Sequence, residues 1–455
     1  MRRIKPDLLH GVIWQQLLLF FFPVFFGTLF QQLYNTVDAV VVGNFVGKEA
    51  LGAVGGSTGT VINLLVGFVT GLSSGATVVI AQFYGSNDPD GVERGVYSGM
   101  FLAVVLGFAL MFTGFFIAPV MLTWLRVPAD IYPLSLLYMR IYMSGMVPAM
   151  IYNTGAGVLR AVGDSKRPLY FLIASCIVNI ILDVVFVAVM HWGVSGVAAA
   201  TVISQVCSCL LTLYVLYRTD DSYHFDLRRL HFEPKTLRRI LLIGFPSGIQ
   251  SCLYSVSNLF IQAGINMHGT DTVAAYTAFG KIDALFWNSS GALGTSLLTF
   301  AGQNFGAGNI ERVRKGIREG TVLFMIISTV ITVLSYFGGP FLFRLFTPDA
   351  EVTRIGLSIL RYICPLWFTF VFVEVLSSSI RACGDTLYPM LMTAAGIGIL
   401  RILWILLYPA ETIFDTLRCY PISWALTSAL FLVYYLHGGW LKRCMNVRQN
   451  MFRRV

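Results

Sequence analysis

Two carboxylates stand where a carboxylate is expensive. Asp38 sits in Leu33-Tyr-Asn-Thr-Val-Asp-Ala-Val-Val-Val42, near the end of an apolar run that begins at about Ile13. Asp183 sits in Val178-Asn-Ile-Ile-Leu-Asp-Val-Val-Phe-Val187. An acid in the middle of a membrane segment costs about 2.5–3.5 kcal/mol, so such acids usually face a bundle interior or a wet cavity and carry function. Asn179 precedes Asp183 by four residues and shares its helix face. Two carboxylates with neutral oxygens beside them form a site for a proton or a Na⁺, because hard cations take oxygen ligands. The competing reading is structural: either acid, neutral, hydrogen-bonded into a helix contact.

A second polar set lies further on: Lys281, Asp283, Glu374 and Arg401, with Arg361. Lys281 and Asp283 are two apart and do not share a helix face. The expected arrangement is a buried Lys281–Glu374 ion pair, with substrate contact as the runner-up. Arg140 and Arg361 lie towards helix ends, where the charged head reaches out of the apolar layer. Soluble-enzyme motifs are missing. Gly43-Asn-Phe-Val-Gly-Lys48 is one residue short of a P-loop, and none of the six histidines belongs to an HExxH.

The elements that must hold these residues are membrane helices. The chain of 455 residues is 56% hydrophobic and 12% charged, with a mean hydropathy of +0.72. That is an integral membrane protein and not a soluble one with a large core. Segments of spanning length fall near 13–42, 51–82, 96–122, 133–159, 168–190, 193–217, 239–267, 273–303, 319–345, 355–380, 387–409 and 420–441. Their unbroken apolarity excludes barrel strands. The fold class expected is therefore an all-α polytopic membrane protein of about twelve helices.

The net charge of +9 does not point to nucleic acid. About 23 of the 32 Lys and Arg lie at the two ends and in alternate loops, which places both termini in the cytoplasm. The eight cysteines lack metal-ligand spacing and read as reduced packing residues. The start, Met1-Arg-Arg-Ile-Lys5, lacks the small-residue cleavage site of a signal peptide.

The chain repeats itself. "LRAVGDSKRP" at 159–168 matches "IRACGDTLYP" at an offset of 221, and Gln82, Gly85, Val92 and Gly95 match Gln303, Gly306, Val313 and Gly316 at the same offset. The expected organisation is a six-helix lobe over 1–217, a cytoplasmic linker over 218–238 and a second six-helix lobe over 239–455. Six is even, so the lobes enter the membrane in the same direction, as parallel repeats. Gly67, Gly71 and Gly75 form a GxxxGxxxG packing ladder; Gly91, Gly95 and Gly99 form another, expected to straddle a loop. Pro23 and Pro246 sit inside the first helix of each lobe. The lobes differ at the acids: Asp38, Asn179 and Asp183 map to Phe260, Leu400 and Trp404. Only the first lobe is equipped to hold a cation in this way.

With these features assembled, the chain resembles the multidrug and toxic compound extrusion (MATE) transporters over nearly its whole length. The resemblance is carried by "LYNTVDAVVVGNFVG", "AQFYG" with its twin "GQNFG", "LRAVGDSKRP" with its twin, and "VNIILDVVFV" followed by "GVSGVAAATVISQ". It implies two six-helix lobes around a V-shaped cavity and secondary efflux of organic, often cationic, compounds in exchange for H⁺ or Na⁺. In the DinF-like branch a cation site uses an Asp on the first helix, an Asn and an Asp on the fifth and a Thr on the sixth; Asp38, Asn179, Asp183 and Thr201 match. Another branch has a Glu on the seventh helix, where this chain has Tyr254.

Two further functions compete with ion-coupled efflux. A lipid-linked saccharide flippase of the same superfamily would use cavity cations, for which Lys281, Arg361 and Arg401 are candidates. A membrane-embedded lipid-modifying enzyme would need clustered acids or histidines in a surface loop, which this chain lacks. The efflux reading entails small organic substrates, an inner (plasma) membrane location, a monomer, and no cofactor beyond the coupling ion, with Na⁺ held at Asp38, Asn179, Asp183 and Thr201 if Na⁺ is the ion.

Overall fold

In lipid every backbone N–H and C=O must be satisfied within its own segment, so long apolar runs become helices. The computed structural model describes residues 7–452 except 126, 347, 348 and 409, and among these it is helical throughout, with no strand. Twelve rods follow in order. They are α1 (Ile13–Phe45), α2 (Ser57–Gly85, preceded by a short helix Lys48–Gly55), α3 (Pro89–Trp124), α4 (Tyr132–Ser144 and Met146–Ala161), α5 (Lys166–Val189) and α6 (Val194–Tyr217). The second six are α7 (Pro234–Asn266), α8 (Thr270–Gly306), α9 (Ile310–Phe346), α10 (Ala350–Ala382), α11 (Leu387–Leu407) and α12 (Cys419–His437).

Ten of the described helices are long and apolar enough to cross a membrane, and α4, bent by 48° at Gly145, makes an eleventh. The remaining rod is α8, which carries Asp271, Lys281 and Asp283 along its length and is therefore less apolar than its neighbours. The all-α architecture of about twelve helices is as expected. The basic residues Arg2, Arg3, Lys5, Arg453 and Arg454, used above for orientation, lie outside the described residues.

The chain divides into two units, Phe22–Gly248 and Asp7–Phe21 with Ile249–Val455. Helix α1 thus changes unit between Phe21 and Phe22, close to Pro23, and α7 between Gly248 and Ile249, close to Pro246. Both helices continue unbroken through their prolines.

In the first unit, α2 and the start of α7 approach backbone to backbone. A Cβ on Gly71 would lie 2.6 Å from the Gly248 Cα, and one on Gly75 would lie 2.8 Å from the Gly244 Cα. Only glycine permits that approach. Gly91, Gly95 and Gly99 all lie within α3, so no loop interrupts that ladder; Gly95 and Gly99 face Ile80 and Ala76 of α2. The segment after α6 is pinned to α3 and is not a free tether. Asp226 N donates to the Tyr97 hydroxyl (3.2 Å), Glu233 N donates to Ser98 Oγ (3.1 Å), and His231 stacks on Tyr97 at 4.4 Å.

In the second unit, the buried rings of Phe324, Phe286 and Trp367 stack at 5.8 and 4.9 Å and form an aromatic core. Arg312 fastens the N-terminal segment to α9, donating to the carbonyls of His10 and Gly11 at 3.0 Å each, while Asn304 donates to the Leu8 carbonyl.

Candidate cation site

Asp38 lies more than three-quarters of the way along α1, Asn179 and Asp183 lie on one face of α5, and Thr201 lies on α6, all within the first unit. The four side chains are buried, with Asp183 and Asn179 fully enclosed. The structure brings all of them together: the Asp38 carboxyl faces Asp183, Asn179 and Thr201. Directly after Asp183 the α5 backbone widens into a π-helical stretch, Val184–Val189. Such stretches recur at functional sites because they re-aim side chains.

The polar atoms of this cluster are under-supplied. Asp38 Oδ1, both Asp183 oxygens and both amide atoms of Asn179 are buried without a formed hydrogen bond. Thr201 Oγ1 lies 3.4 Å from Asp38 Oδ2. Among the described residues no Lys, Arg or His makes an ion pair with either acid. Buried oxygens left in this state cost several kcal/mol, and a buried uncompensated charge costs more. A proton shared between the acids, or a monovalent cation among the oxygens, removes that cost. The donor set fits such an ion: two carboxylates, an amide oxygen and a hydroxyl. No group of three or more His, Cys, Asp or Glu that could hold a metal forms among the described residues.

Sequence reasoning missed the surroundings. Tyr138 of α4 is buried and within electrostatic reach of both Asp38 and Asp183, and Tyr34 and Tyr142 stand close by. Three phenols thus stand within electrostatic reach of the acid pair. Within apolar runs they looked like packing residues.

The second unit departs from expectation. The Lys281–Glu374 ion pair is not formed, and Lys281 is exposed. Glu374 instead accepts from Ser378 Oγ at 3.0 Å, within the field of Arg381, which donates to the same Ser378 at 3.2 Å. Gly294 of α8 leaves the space that the Glu374 carboxyl fills. Asp283 is gripped by two indoles, Trp287 Nε1 at 2.7 Å and Trp367 Nε1 at 3.0 Å. The positions matching the first-unit acids form no ion site. Phe260 and Leu400 are apolar, and the indole of Trp404 donates to the Asp415 carbonyl at 2.8 Å. Arg361 lies against the Tyr336 ring and is exposed. All eight cysteines are free.

The MatE family profile matches residues 23–185 and residues 246–407, two segments of nearly equal length that correspond to the two halves of the repeat. The chain belongs to the MatE family of membrane transporters. It is 28% identical over 445 residues to the probable multidrug resistance protein YpnP of Bacillus subtilis, covering 95% of this chain and 97% of that one. It is 23% identical to the probable multidrug resistance protein NorM of Thermotoga maritima, covering 94% and 93%. Among solved structures, an outward-facing multidrug resistance MATE transporter of the MOP superfamily superposes with a TM-score of 0.88 at 21% identity, covering 97% of this chain and 98% of that one. A MATE protein in its straight conformation gives 0.87 at 21% identity, covering 98% and 99%. These likenesses carry the fold.

Proposed function

We propose that this protein is a multidrug efflux transporter that exports organic, often cationic, compounds in antiport with H⁺ or Na⁺, and that the ion binds at Asp38, Asn179, Asp183 and Thr201. The observation that carries the reading is the convergence of two acids, an amide and a hydroxyl in the interior of the first unit, with Asp38 Oδ1, both Asp183 oxygens and Asn179 Oδ1 lacking partners. The names of the relatives, multidrug resistance proteins in two genera, support the efflux half of the reading. The match of all four residues to the DinF-like pattern supports reading the chain as a member of that branch.

The mechanism follows from charge. Without an ion, the two facing carboxylates repel each other, and Asp38 Oδ1 and both Asp183 oxygens lack donors. A proton or Na⁺ relieves that strain, and the relief favours one arrangement of α1, on which Asp38 sits, over another. If drug prefers the ion-free arrangement, ion entry expels drug, and linkage makes the effect reciprocal. The protein works as a monomer in the inner membrane with both termini in the cytoplasm, the six-helix lobes 1–217 and 239–455 flanking a cytoplasmic segment 218–238.

The flippase alternative needs several cations on one cavity. Arg401 lines a cavity of the second unit whose lining includes neither Lys281 nor Arg361. The test is drug export from proteoliposomes under separately imposed proton and Na⁺ gradients. Export driven by neither gradient would refute the reading.

A further inference from the structure

The second unit contains a cavity of about 420 Å³, a volume suited to a drug-sized solute. Its walls are aromatic, with Tyr254, Tyr276, Trp287, Phe370 and Tyr420 among them, and Arg401 of α11 lines it. Arg401 is 1% exposed. An arginine inside a membrane protein is costly enough to need a use.

Its neighbours engage only part of the guanidinium. Nε donates to Ser423 Oγ at 2.8 Å, Nη1 reaches Asn258 Oδ1 at 3.4 Å, and the Tyr420 ring lies 4.6 Å from Cζ. Nη2 is buried with no acceptor. Neither cavity carboxylate takes it up. Asp283 is turned to the indoles of Trp287 and Trp367, and Glu374 is turned to Ser378 and Arg381. Arg401 makes no salt bridge among the described residues. A positive donor with a free N–H, walled by aromatic rings, is matched to a flat molecule carrying a carboxylate, which guanidinium binds with short, charge-assisted hydrogen bonds.

We propose that this cavity takes an aromatic organic carboxylate, with Arg401 as the group that binds its anionic end. The assignment extends the substrate range beyond cations and rests on the reading of the protein as an exporter of organic compounds. A solute that also carries an ammonium group finds Glu374 on the same cavity, so zwitterions belong to the class.

The test is calorimetric binding to the purified full-length protein, without any gradient, using 2-naphthoate and the neutral, equally shaped 2-naphthamide. Wild-type protein is expected to bind naphthoate at least tenfold more tightly than naphthamide. Arg401→Gln should abolish that preference and leave naphthamide affinity within twofold. Asn258→Asp, which sets a carboxylate beside the same guanidinium, should lower naphthoate affinity alone, and it decides the matter if Arg401→Gln does not fold. Equal affinity for the two probes in wild type, binding of neither, or a preference that survives in the folded variants would overturn the proposal. The assay applies no ion gradient, so its outcome does not depend on coupling at Asp38. Failure of ion-coupled export with naphthoate binding intact would therefore sink the transport reading and leave this site standing.

Discussion

Thr201 Oγ1 lies 3.0 Å from the Val197 carbonyl one turn back on α6 and 3.4 Å from Asp38 Oδ2 on α1. A hydroxyl has one hydrogen, and the shorter contact claims it. Its lone pairs are then left facing the acid, which suits a proton or cation between them and does not suit a bare carboxylate.

Thr201→Val keeps the shape and removes that oxygen. The half-saturating ion concentration for export should rise about tenfold, corresponding to roughly 1.4 kcal/mol. Thr201→Ser should stay within about threefold of wild type. Ion-dependence curves in proteoliposomes check both; an unchanged curve for the valine variant would remove Thr201 from the site.

The glycine contacts of α2 with α7 are predicted to be limiting for stability. Gly75→Val drives side-chain carbons into the Ile240–Gly244 backbone and should cost about 1–3 kcal/mol, the usual range for overpacking. Gly280 of α8 has open space around it, so Gly280→Ala should be neutral or stabilise by up to about 1 kcal/mol. Thermal unfolding followed by tryptophan fluorescence compares them. Equal melting temperatures would contradict the close crossing.

Glu374 is coupled to Gly294 and not to Lys281. Gly294→Ala places a methyl where the Glu374 carboxyl lies, so it should destabilise the protein, and Glu374→Ala in the same chain should recover part of the loss. The interaction energy expected is on the order of 1–3 kcal/mol. A cycle of Lys281→Ala with Glu374→Gln should give a coupling near zero. A large Lys281 coupling would reinstate the ion pair.

Orientation has its own test. A single cysteine at Ser222, in a cysteine-free background, should react with a membrane-impermeant maleimide in inside-out vesicles and not in intact cells. The reverse pattern would invert the topology.

The helices were legible because length and apolarity are enough to specify a spanning segment, and the segment 273–303 stood among them although the charges of α8 dilute its apolarity. Asp38 and Asp183 were legible for a different reason. Each is an acid where the other half of the repeat has a hydrophobe, so the comparison Asp38/Phe260 and Asp183/Trp404 isolates them. Lys281 and Glu374 were paired wrongly because their spacing along the chain does not say which face of α8 points inward. The indole clamp on Asp283 was out of reach, since Trp367 lies 84 residues away and a tryptophan in an apolar run carries no mark of its partner. Tyr138 beside the acids was hidden in the same way.

The central claim is that Asp38 couples ion entry to export. The direct measurement is gradient-driven drug uptake into inside-out proteoliposomes by Asp38→Asn protein shown by size-exclusion chromatography and melting temperature to be folded. The amide removes the exchangeable charge while keeping size and hydrogen-bonding capacity, so uptake should fall to the level of protein-free vesicles while drug binding persists. Uptake against the drug gradient at the wild-type rate would contradict the account and leave Asp38 a buried hydrogen-bonding residue.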